Sequence, residues 1–408
     1  MRVAGKLAGM KRLGLFASLL LMFALVPGVA SAAAAFPKMD AATVDGFRWT
    51  SGSSFGTYGA RIAALEKHLP PRGLPEVLSS ANRKARPLCH GTYLAAALKP
   101  AGFCWEDAND DKTNDWIPQG LTGSGDADAA TGKVGGKRVV AASWHTPGDT
   151  MVRLSFVDAT GLGYRHVLLV EPTSNDNFAV VRGHGHGMTW IGNRLFVATT
   201  GGVVRVFDTT HFWKVDDGSG VVGKGPDGKY HAAFYDYAMP QIGAYWYPGG
   251  GTCTNAPGTR PCLATMSFDH GDGSIVTSEH IPNAAGGRVL RWPFDRATGL
   301  PKVSADGTVH AKEGFVSPVW GMQGAVARNG YFVMTGVCPE YAGVAGDHPS
   351  CLHGGVGGTS TSRLSGRAPV NSQNLSYWPA TGELWLMNEQ LRERVTVHVP
   401  WTTLTGRP

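Results

Sequence analysis

The chain has 408 residues and a formal charge of +6, of which four basic residues and no acidic ones lie within residues 1–32, so the remainder carries only about +2. Because no concentrated basic stripe follows, this charge excludes nucleic acid as a partner. The 56 glycines are about double the usual frequency of roughly 7%, and only 17% of residues are charged, a profile typical of many short strands joined by tight turns.

The N-terminus has the three parts of a secretory signal peptide. Four basic residues precede the apolar run "LGLFASLLLMFALV", and the small residues Ala30, Ser31 and Ala32 form a cleavage site. No later stretch approaches the roughly 18 apolar residues of a spanning helix. We therefore expect residues 1–32 to be removed and the mature chain to be secreted, extracellular and without a membrane span.

Residues 33–115 are predicted to form an N-terminal segment with short helices. Helical spacing of apolar residues is found in residues 58–69, and residues 91–98 add a further turn or two. In the simplest arrangement, residues 42–50, "ATVDGFRWT", would add a strand to the last β-sheet of the chain and so complete it.

The stretch "WEDANDDKTNDW", residues 105–116, concentrates five acidic side chains. Such a loop could hold calcium, the one cofactor that the sequence leaves open. The spacing of an EF-hand, with its glycine and terminal glutamate, is absent. A solvated acidic loop is therefore the favoured interpretation.

From residue 116 onward the chain repeats one pattern. A polar and a small residue are followed by an apolar strand, a tight turn with Gly or Asn, and two further strands. The five stretches start at Gln119, His186, Thr265, Gln323 and Gln373. Consecutive starts are 67, 79, 58 and 50 residues apart.

Repeating antiparallel units of this size are typical of a β-propeller, so we predict an all-β propeller over residues 116–408. Five blades are favoured. Six or seven remain open if "YRHVLLVEP" or "YHAAFYDYAMPQIGAYWYP" forms a blade of its own rather than supplying fourth strands. Tandem β-sandwiches would also contain many strands, but they would not explain the shared opening.

Six cysteines occur in three close pairs. In an exported protein, nearest neighbours in short loops predict three local disulfides. The predicted pairs are Cys89 with Cys104, Cys253 with Cys262, and Cys338 with Cys351. A zinc site would favour C-x-x-C spacing, which the sequence lacks.

The motif "RGHGHGMTW" places His184 and His186 where a first strand would open on the central channel. A polar collar that holds water is the favoured interpretation, and contact with a ligand is the alternative. Metal binding would require a third ligand from another blade, so no metal site is assigned. The motif "FDHGDGS", with Asp269, His270 and Asp272, is interpreted as a hairpin whose Asp-Gly supplies positive φ.

Other catalytic patterns are absent. The sequence has no G-x-S-x-G elbow, P-loop or H-E-x-x-H motif, so covalent serine chemistry, nucleotide binding and zincin proteolysis lack support. The glutamates are scattered, and linear spacing does not show whether two of them could flank a scissile bond. They are Glu171, Glu279, Glu313, Glu340 and Glu389.

The segments "YRHVLLVEP" and "HGHGMTWIGNRLFVATTGGVVRVFD" resemble those of a group of exported actinomycete proteins of undescribed function. The resemblance covers about residues 115–400 and includes a segment similar to "LSYWPATGELW". His184 matches the single histidine that precedes the tryptophan in that group. His186 is a departure from its pattern.

A looser similarity links the chain to propeller polysaccharide lyases, in which His, Tyr and Arg side chains neutralise a uronate and abstract a proton. It implies His184, His166 and Arg182 as catalytic residues. His186 and Trp190 would contact substrate, together with the polar residues Gln119, Gln323 and Gln373.

Two functions follow from these expectations. The first is a secreted enzyme, a lyase or glycosidase, that acts on an extracellular glycan through a histidine on the channel face. The alternative is a non-catalytic propeller that binds a glycan or a protein. In either case we expect a monomer with a glycan as its partner.

Overall fold

The computed structural model describes residues 33–408, except 251–252, 255, 257–258 and 365. The predicted signal peptide lies outside the described residues. The described residues contain five short α-helices, most of them N-terminal: α1 (Ala41–Asp45), α2 (Ser54–Leu65), α3 (Leu74–Ser79), α4 (Ser124–Ala127) and α5 (Trp401–Thr405). A π-helical turn spans Asp107–Asp111.

The strands of the N-terminal segment are β1 (Ala34–Ala35), β2 (Arg48–Trp49), β3 (Pro71–Arg72), β4 (Arg83–Lys84), β5 (Arg86–Pro87) and β6 (Ala101–Cys104). Next come β7 (Ile117–Gly123), β8 (Val139–His145), β9 (Val152–Asp158), β10 (Gly163–Pro172), β11 (Phe178–Val180), β12 (Gly187–Ile191), β13 (Arg194–Thr199), β14 (Val203–Asp208), β15 (Phe212–Lys214), β16 (Val222–Lys224), β17 (Tyr230–Ala232) and β18 (Tyr237–Tyr245).

The second half contains β19 (Leu263–Asp269), β20 (Ser274–Glu279), β21 (Arg288–Asp295), β22 (Leu300–Pro301), β23 (Val309–His310), β24 (Glu313–Val316), β25 (Gly324–Arg328), β26 (Tyr331–Val337), β27 (Pro349–Val356), β28 (Ser360–Arg363), β29 (Ala368–Val370), β30 (Ser372–Trp378), β31 (Glu383–Asn388) and β32 (Val395–Pro400).

The pairing of these strands builds antiparallel four-stranded sheets, which we call blades and number along the chain. They are β7-β8-β9-β10 (blade 1), β12-β13-β14-β18 (blade 2), β19-β20-β21-β24 (blade 3), β25-β26-β27-β28 (blade 4) and β30-β31-β32-β6 (blade 5). Each buries side chains on both faces, because Val, Leu, Phe and Trp from adjacent blades pack together between the sheets. The segments "YRHVLLVEP" and "YAMPQIGAY" supply the fourth strands β10 and β18, which pair with each other in parallel.

The first strands of the blades contact one another in a closed circuit, β7 to β12 to β19 to β25 to β30 and back to β7. The predicted propeller, with first strands around a central axis, is therefore confirmed. Three first strands contain a β-bulge near their start, within 118–121, 263–265 and 372–375. A bulge redirects a side chain, which accounts for the polar and small residues at the start of these repeats.

Asn374, in the bulge of β30, joins the blades at the axis. Its side-chain Nδ2 lies 2.6 Å from the carbonyl oxygen of Leu121, 3.1 Å from that of Met188 and 3.0 Å from that of Met266. Its Oδ1 accepts a hydrogen bond from the Met266 amide at 3.2 Å. One fully buried side chain of blade 5 thus satisfies backbone groups of blades 1, 2 and 3.

The N-terminal segment runs along the outside of the propeller. It pairs at Ala34 with blade 4, at Lys38 with blade 3, at Thr50 with Trp246 beyond the end of β18 in blade 2, and at Lys84 with blade 1. It ends with β6 against β32. The prediction that residues 42–50 complete the last sheet was wrong, because they form α1 and β2, and β2 pairs with β23. Residues 101–104 fill that place.

All three predicted disulfides are present: Cys89–Cys104, Cys253–Cys262 and Cys338–Cys351. The first fastens residue 89 to β6, and the third joins the end of β26 to the start of β27. The motif "FDHGDGS" forms the β19–β20 hairpin with Gly273 at a φ of 67°, as predicted. None of the described helices is long and apolar enough to cross a membrane.

The acidic stretch 105–116 is only in part the solvated loop that the sequence favoured: the side chains of Asp107 and Asp115 are exposed, but two other acidic side chains are not. Asp110 and Asp111 are fully buried in the π-helical turn. Asp110 accepts hydrogen bonds from Arg153 at 2.6 Å and Tyr164 at 2.5 Å, and Asp111 contacts Arg86 at 2.6 Å. Their charges are compensated by arginines, because a carboxylate without a partner would be too costly to bury. These contacts occupy carboxylate oxygens of Asp110 and Asp111.

Candidate active site at the channel mouth

The starts of neighbouring first strands meet at one end of the central axis of the propeller. We call this end the channel mouth. Gly120 lies against Gly185, Gly187 against Thr265, and Gly324 against Gln373. A Cβ added to Gly187 would come within 2.4 Å of the Thr265 Cα, so only glycine allows the blades to approach this closely.

Four histidines, which we call the histidine cluster, gather at this mouth: His145 at the end of β8, His184 and His186 before β12, and His280 after β20. The ring centroids of His145 and His184 lie 3.6 Å apart, and those of His184 and His186 lie 4.3 Å apart. In addition to burial, electrostatic repulsion from His184 lowers the pKa of His280, and repulsion from His280 lowers that of His186.

Asp149, in the turn between β8 and β9, lies against two of these rings. Its Oδ1 is 2.8 Å from the Nδ1 of His145 and 3.0 Å from the Nδ1 of His184. Burial is nevertheless the dominant influence: it lowers the pKa of His145 to about 4, lowers that of His184 and brings that of His186 well below its ordinary value. The cluster therefore presents uncharged imidazoles at neutral pH.

A cavity of about 200 Å³ opens beside the cluster and shares His280 with it. Its wall carries the aromatic rings of Trp320 and Tyr341 and the amides of Gln323 and Asn371. The ring of His348 stacks on that of Tyr341 with centroids 4.4 Å apart. None of the described residues that line this cavity is a carboxylate.

Glu389 follows β31 at the same mouth. Its carboxylate accepts a hydrogen bond from Gln119, and its backbone amide donates to the carbonyl of Asn371, which lines the cavity. Burial raises the pKa of Glu389 to about 7, despite the opposing influence of Gln119 and Arg394. The side chain is thus a carboxylic acid that titrates near neutrality and could donate a proton.

Replacing Glu389 by glutamine should flatten the pH dependence of stability. Because the pKa is about 7 in the folded chain and about 4.5 when unfolded, the unfolded chain loses this proton first as the pH rises. The wild type should therefore lose up to about 3 kcal/mol between roughly pH 4.5 and 7 through this group.

Urea unfolding at pH 5 and pH 8 measures this loss. Glu389→Gln should be more stable than the wild type at pH 8 and close to it at pH 5, whereas the control Glu393→Gln in the same loop should follow the wild type. Equal pH dependence in Glu389→Gln and the wild type would contradict the assignment.

The structure brings several of the predicted site residues together. His184, His186, Gln119, Gln323 and Gln373 all lie at the channel mouth. Gln323 lines the cavity, Gln119 bonds to Glu389, and the buried Gln373 donates to the carbonyl of Asn371 at 3.3 Å. Arg182 is exposed, two residues before His184.

Two predicted residues lie elsewhere. His166 is buried on the outermost strand of blade 1, where it contacts Ser155 at 2.8 Å and Asp110 at 3.1 Å, so its place is the Asp110 network. Trp190 is fully buried between the blades and packs edge-on against Phe156, which leaves no surface for a substrate. Both residues lie within a strand and are buried in the protein, whereas the residues that directly precede a first strand reach the mouth.

Sequence reasoning missed His145, Asp149 and His280 as members of the site. His145 and Asp149 stand four residues apart in "SWHTPGD", where Pro147 and Gly148 mark a turn directly after a strand. That pattern could have placed both on a loop at the same end as the His184 segment.

A second cavity, of about 410 Å³, lies beyond the opposite ends of the first strands. Asp126 of α4 and His270 of the β19–β20 hairpin border it, with His270 Nε2 3.5 Å from Asp126 Oδ1. Asp126 also accepts hydrogen bonds from Thr122 at 2.8 Å and Ser376 at 2.6 Å, so it also ties blades 1 and 5 together.

No protein-family model and no curated protein matches the chain. Among solved structures, it is similar to the exo-β-1,3-galactanase of Phanerochaete chrysosporium, with 13% identity, a TM-score of 0.38, and coverage of 75% of this chain and 65% of that one. The GH43_1 enzyme of Xanthomonas citri shows 10% identity and a TM-score of 0.34 over 84% and 93% of the two chains. The Cps50 (Swd1) β-propeller domain of Myceliophteria thermophila shows 8% identity and a TM-score of 0.34 over 72% and 99%.

Proposed function

We propose that this chain is an extracellular polysaccharide lyase that binds a uronate-containing glycan at the channel mouth, with His280 as the base. The observation that carries the proposal is that His280 belongs to two features of the channel mouth at once. It lies in the wall of the aromatic and amide-lined cavity, and it belongs to the partly buried histidine cluster.

The lining of the cavity suits a sugar. At roughly 30 Å³ for each water, its volume of about 200 Å³ equals some six or seven water molecules, which is comparable to one monosaccharide ring. Trp320 and Tyr341 offer apolar faces for the C–H side of such a ring. The amides of Gln323 and Asn371 can both donate to and accept from its hydroxyls.

The side chains favour elimination over hydrolysis. Glycoside hydrolysis generally requires two carboxyl groups on either side of the scissile bond, and the described lining residues include none. An uncharged imidazole can instead remove the proton on the carbon next to the uronate carboxyl group. The electron pair of that C–H bond then forms a C=C bond as the C–O bond to the leaving sugar breaks, and a proton returns to the leaving oxygen.

Two other groups at the mouth fit the remaining tasks of this reaction. Glu389, adjacent to the cavity through Asn371, is a candidate donor of the returning proton. Arg182 carries the positive charge that a uronate requires, and the neighbouring Gly183 amide bonds to the carbonyl of Asp149 at 3.0 Å. We assign Arg182 to the substrate carboxylate.

The test is to incubate the mature chain with uronate-containing and neutral polysaccharides while recording the ultraviolet absorbance of unsaturated ends and the reducing sugar. We expect absorbance only with uronates, and a loss of at least about 100-fold in His280→Gln, because general base catalysis contributes roughly 10² to 10⁴. His211→Gln, whose ring pairs with Glu66 away from the mouth, is the control.

Three outcomes would count against the lyase. Reducing ends without ultraviolet absorbance would indicate hydrolysis. Binding of a glycan without any product would indicate a non-catalytic module. Full activity in His280→Gln would remove His280 from the chemistry.

A further inference from the structure

We propose that His145, Asp149 and His184 form a binding site for one divalent transition-metal ion, best matched by Zn²⁺. Each of the three offers one ligand atom, and these atoms lie within 4.8 Å of one another. The site adjoins the cavity of the proposed function, but metal binding there is independent of lyase activity.

The spacing of the three groups is close to that of a metal site. The carboxylate oxygen of Asp149 is 2.8 Å from His145 Nδ1 and 3.0 Å from His184 Nδ1. Ligands bound at about 2.1 Å in a tetrahedron lie about 3.4 Å apart. To admit the ion, these two separations would widen by about half an ångström, and the rings of His145 and His184, whose centroids lie 3.6 Å apart, would turn away from each other.

The backbone holds the two halves of the site together. The hydroxyl of Thr146 accepts hydrogen bonds from the amides of Thr150 and Met151, which fixes the turn that carries Asp149. The amide of Gly183 donates to the carbonyl of Asp149 at 3.0 Å, and the His184 amide donates to Thr200 Oγ1 at 3.0 Å. A site prearranged in this way loses little entropy on binding an ion.

The donor set indicates the class of ion. Two imidazole nitrogens and one carboxylate suit Zn²⁺ and neighbouring transition metals, whereas Ca²⁺ and Mg²⁺ prefer oxygen ligands alone. Three protein ligands leave a fourth position for water. Two other groups of potential ligands occur in the described chain, but their cysteines are bound in the Cys89–Cys104 and Cys338–Cys351 disulfides.

The test is a calorimetric titration of Zn²⁺ into the chelator-treated mature chain, with Co²⁺ as a spectroscopic probe and no polysaccharide present. We expect one equivalent to bind and Co²⁺ to give visible absorption bands of low symmetry. Asp149→Asn and His184→Gln should each weaken Zn²⁺ at least 10- to 100-fold and abolish these bands, since even outer-shell changes cost that much. His211→Gln should bind as the wild type does.

Less than one equivalent in the wild type, or unchanged affinity in both ligand variants, would overturn the proposal. Unfolding midpoints confirm that each variant is folded, and His184→Gln, at a partly exposed position, is decisive if Asp149→Asn does not fold. Because the titration contains no glycan, metal binding without lyase activity would reject only the proposed function, and activity without metal binding would reject only this site.

Discussion

Replacing Asn374 by leucine should lower the free energy of unfolding by about 3–5 kcal/mol, although the two side chains are similar in shape. The substitution leaves the carbonyls of Leu121, Met188 and Met266 and one amide without their partner at the buried axis. Each buried group that loses its hydrogen bond costs about 1–3 kcal/mol. Because these groups belong to three blades, the loss should destabilise the propeller as a whole.

Urea unfolding followed by tryptophan fluorescence measures this effect. Asn109→Leu, at an exposed position in the π-helical turn, is the matched control and should change stability by no more than about 1 kcal/mol. If Asn374→Leu also stays within 1 kcal/mol of the wild type, the axis does not depend on this side chain.

The second large effect is expected from Asp110→Asn, which should cost about 3–5 kcal/mol. The change keeps the shape of the side chain but removes the charge that compensates the buried Arg153, which is 3% exposed. Breaking one half of a buried ion pair leaves the other charge without compensation. His166 and Tyr164 lose their contact with the carboxylate at the same time.

This experiment also separates the buried network from a calcium site. Asp107→Asn lies in the same turn on an exposed side chain and should change stability by less than about 1 kcal/mol. Added calcium should leave the unfolding midpoint of the wild type unchanged. A rise in that midpoint with calcium, abolished in Asp110→Asn, would contradict our description of the acidic turn.

The repeated sequence pattern predicted the propeller correctly because every first strand has the same requirements. Each needs apolar residues for packing, and a polar and a small residue where it begins at the axis. The starts at Gln119, His186, Gln323 and Gln373 all reach the channel mouth. The closing strand was predicted wrongly because β6 is only four residues long and contains Gly102, so it has little strand signal of its own. Its place is decided by pairing with β32 and by the Cys89–Cys104 disulfide.

The site was predicted in part for a related physical reason. His184 and His186 lie two residues apart in sequence, whereas His145, His280 and Glu389 reach the mouth only through the closure of the ring. His166 was misplaced because the residues that surround it, Ser155 and Asp110, lie 11 and 56 residues away in sequence. A sequence pattern shows which residues are polar. It does not show which charged partners, distant in sequence, these residues contact when they are buried.

The most direct test is a crystal structure of residues 33–408 bound to a uronate-containing oligosaccharide. We expect one sugar ring in the cavity between Trp320 and Tyr341, its carboxylate-bearing carbon facing His280 and its carboxylate near Arg182. A sugar bound instead in the cavity beside Asp126 and His270, at the opposite end of the propeller, would contradict the placement of the functional site at the histidine cluster.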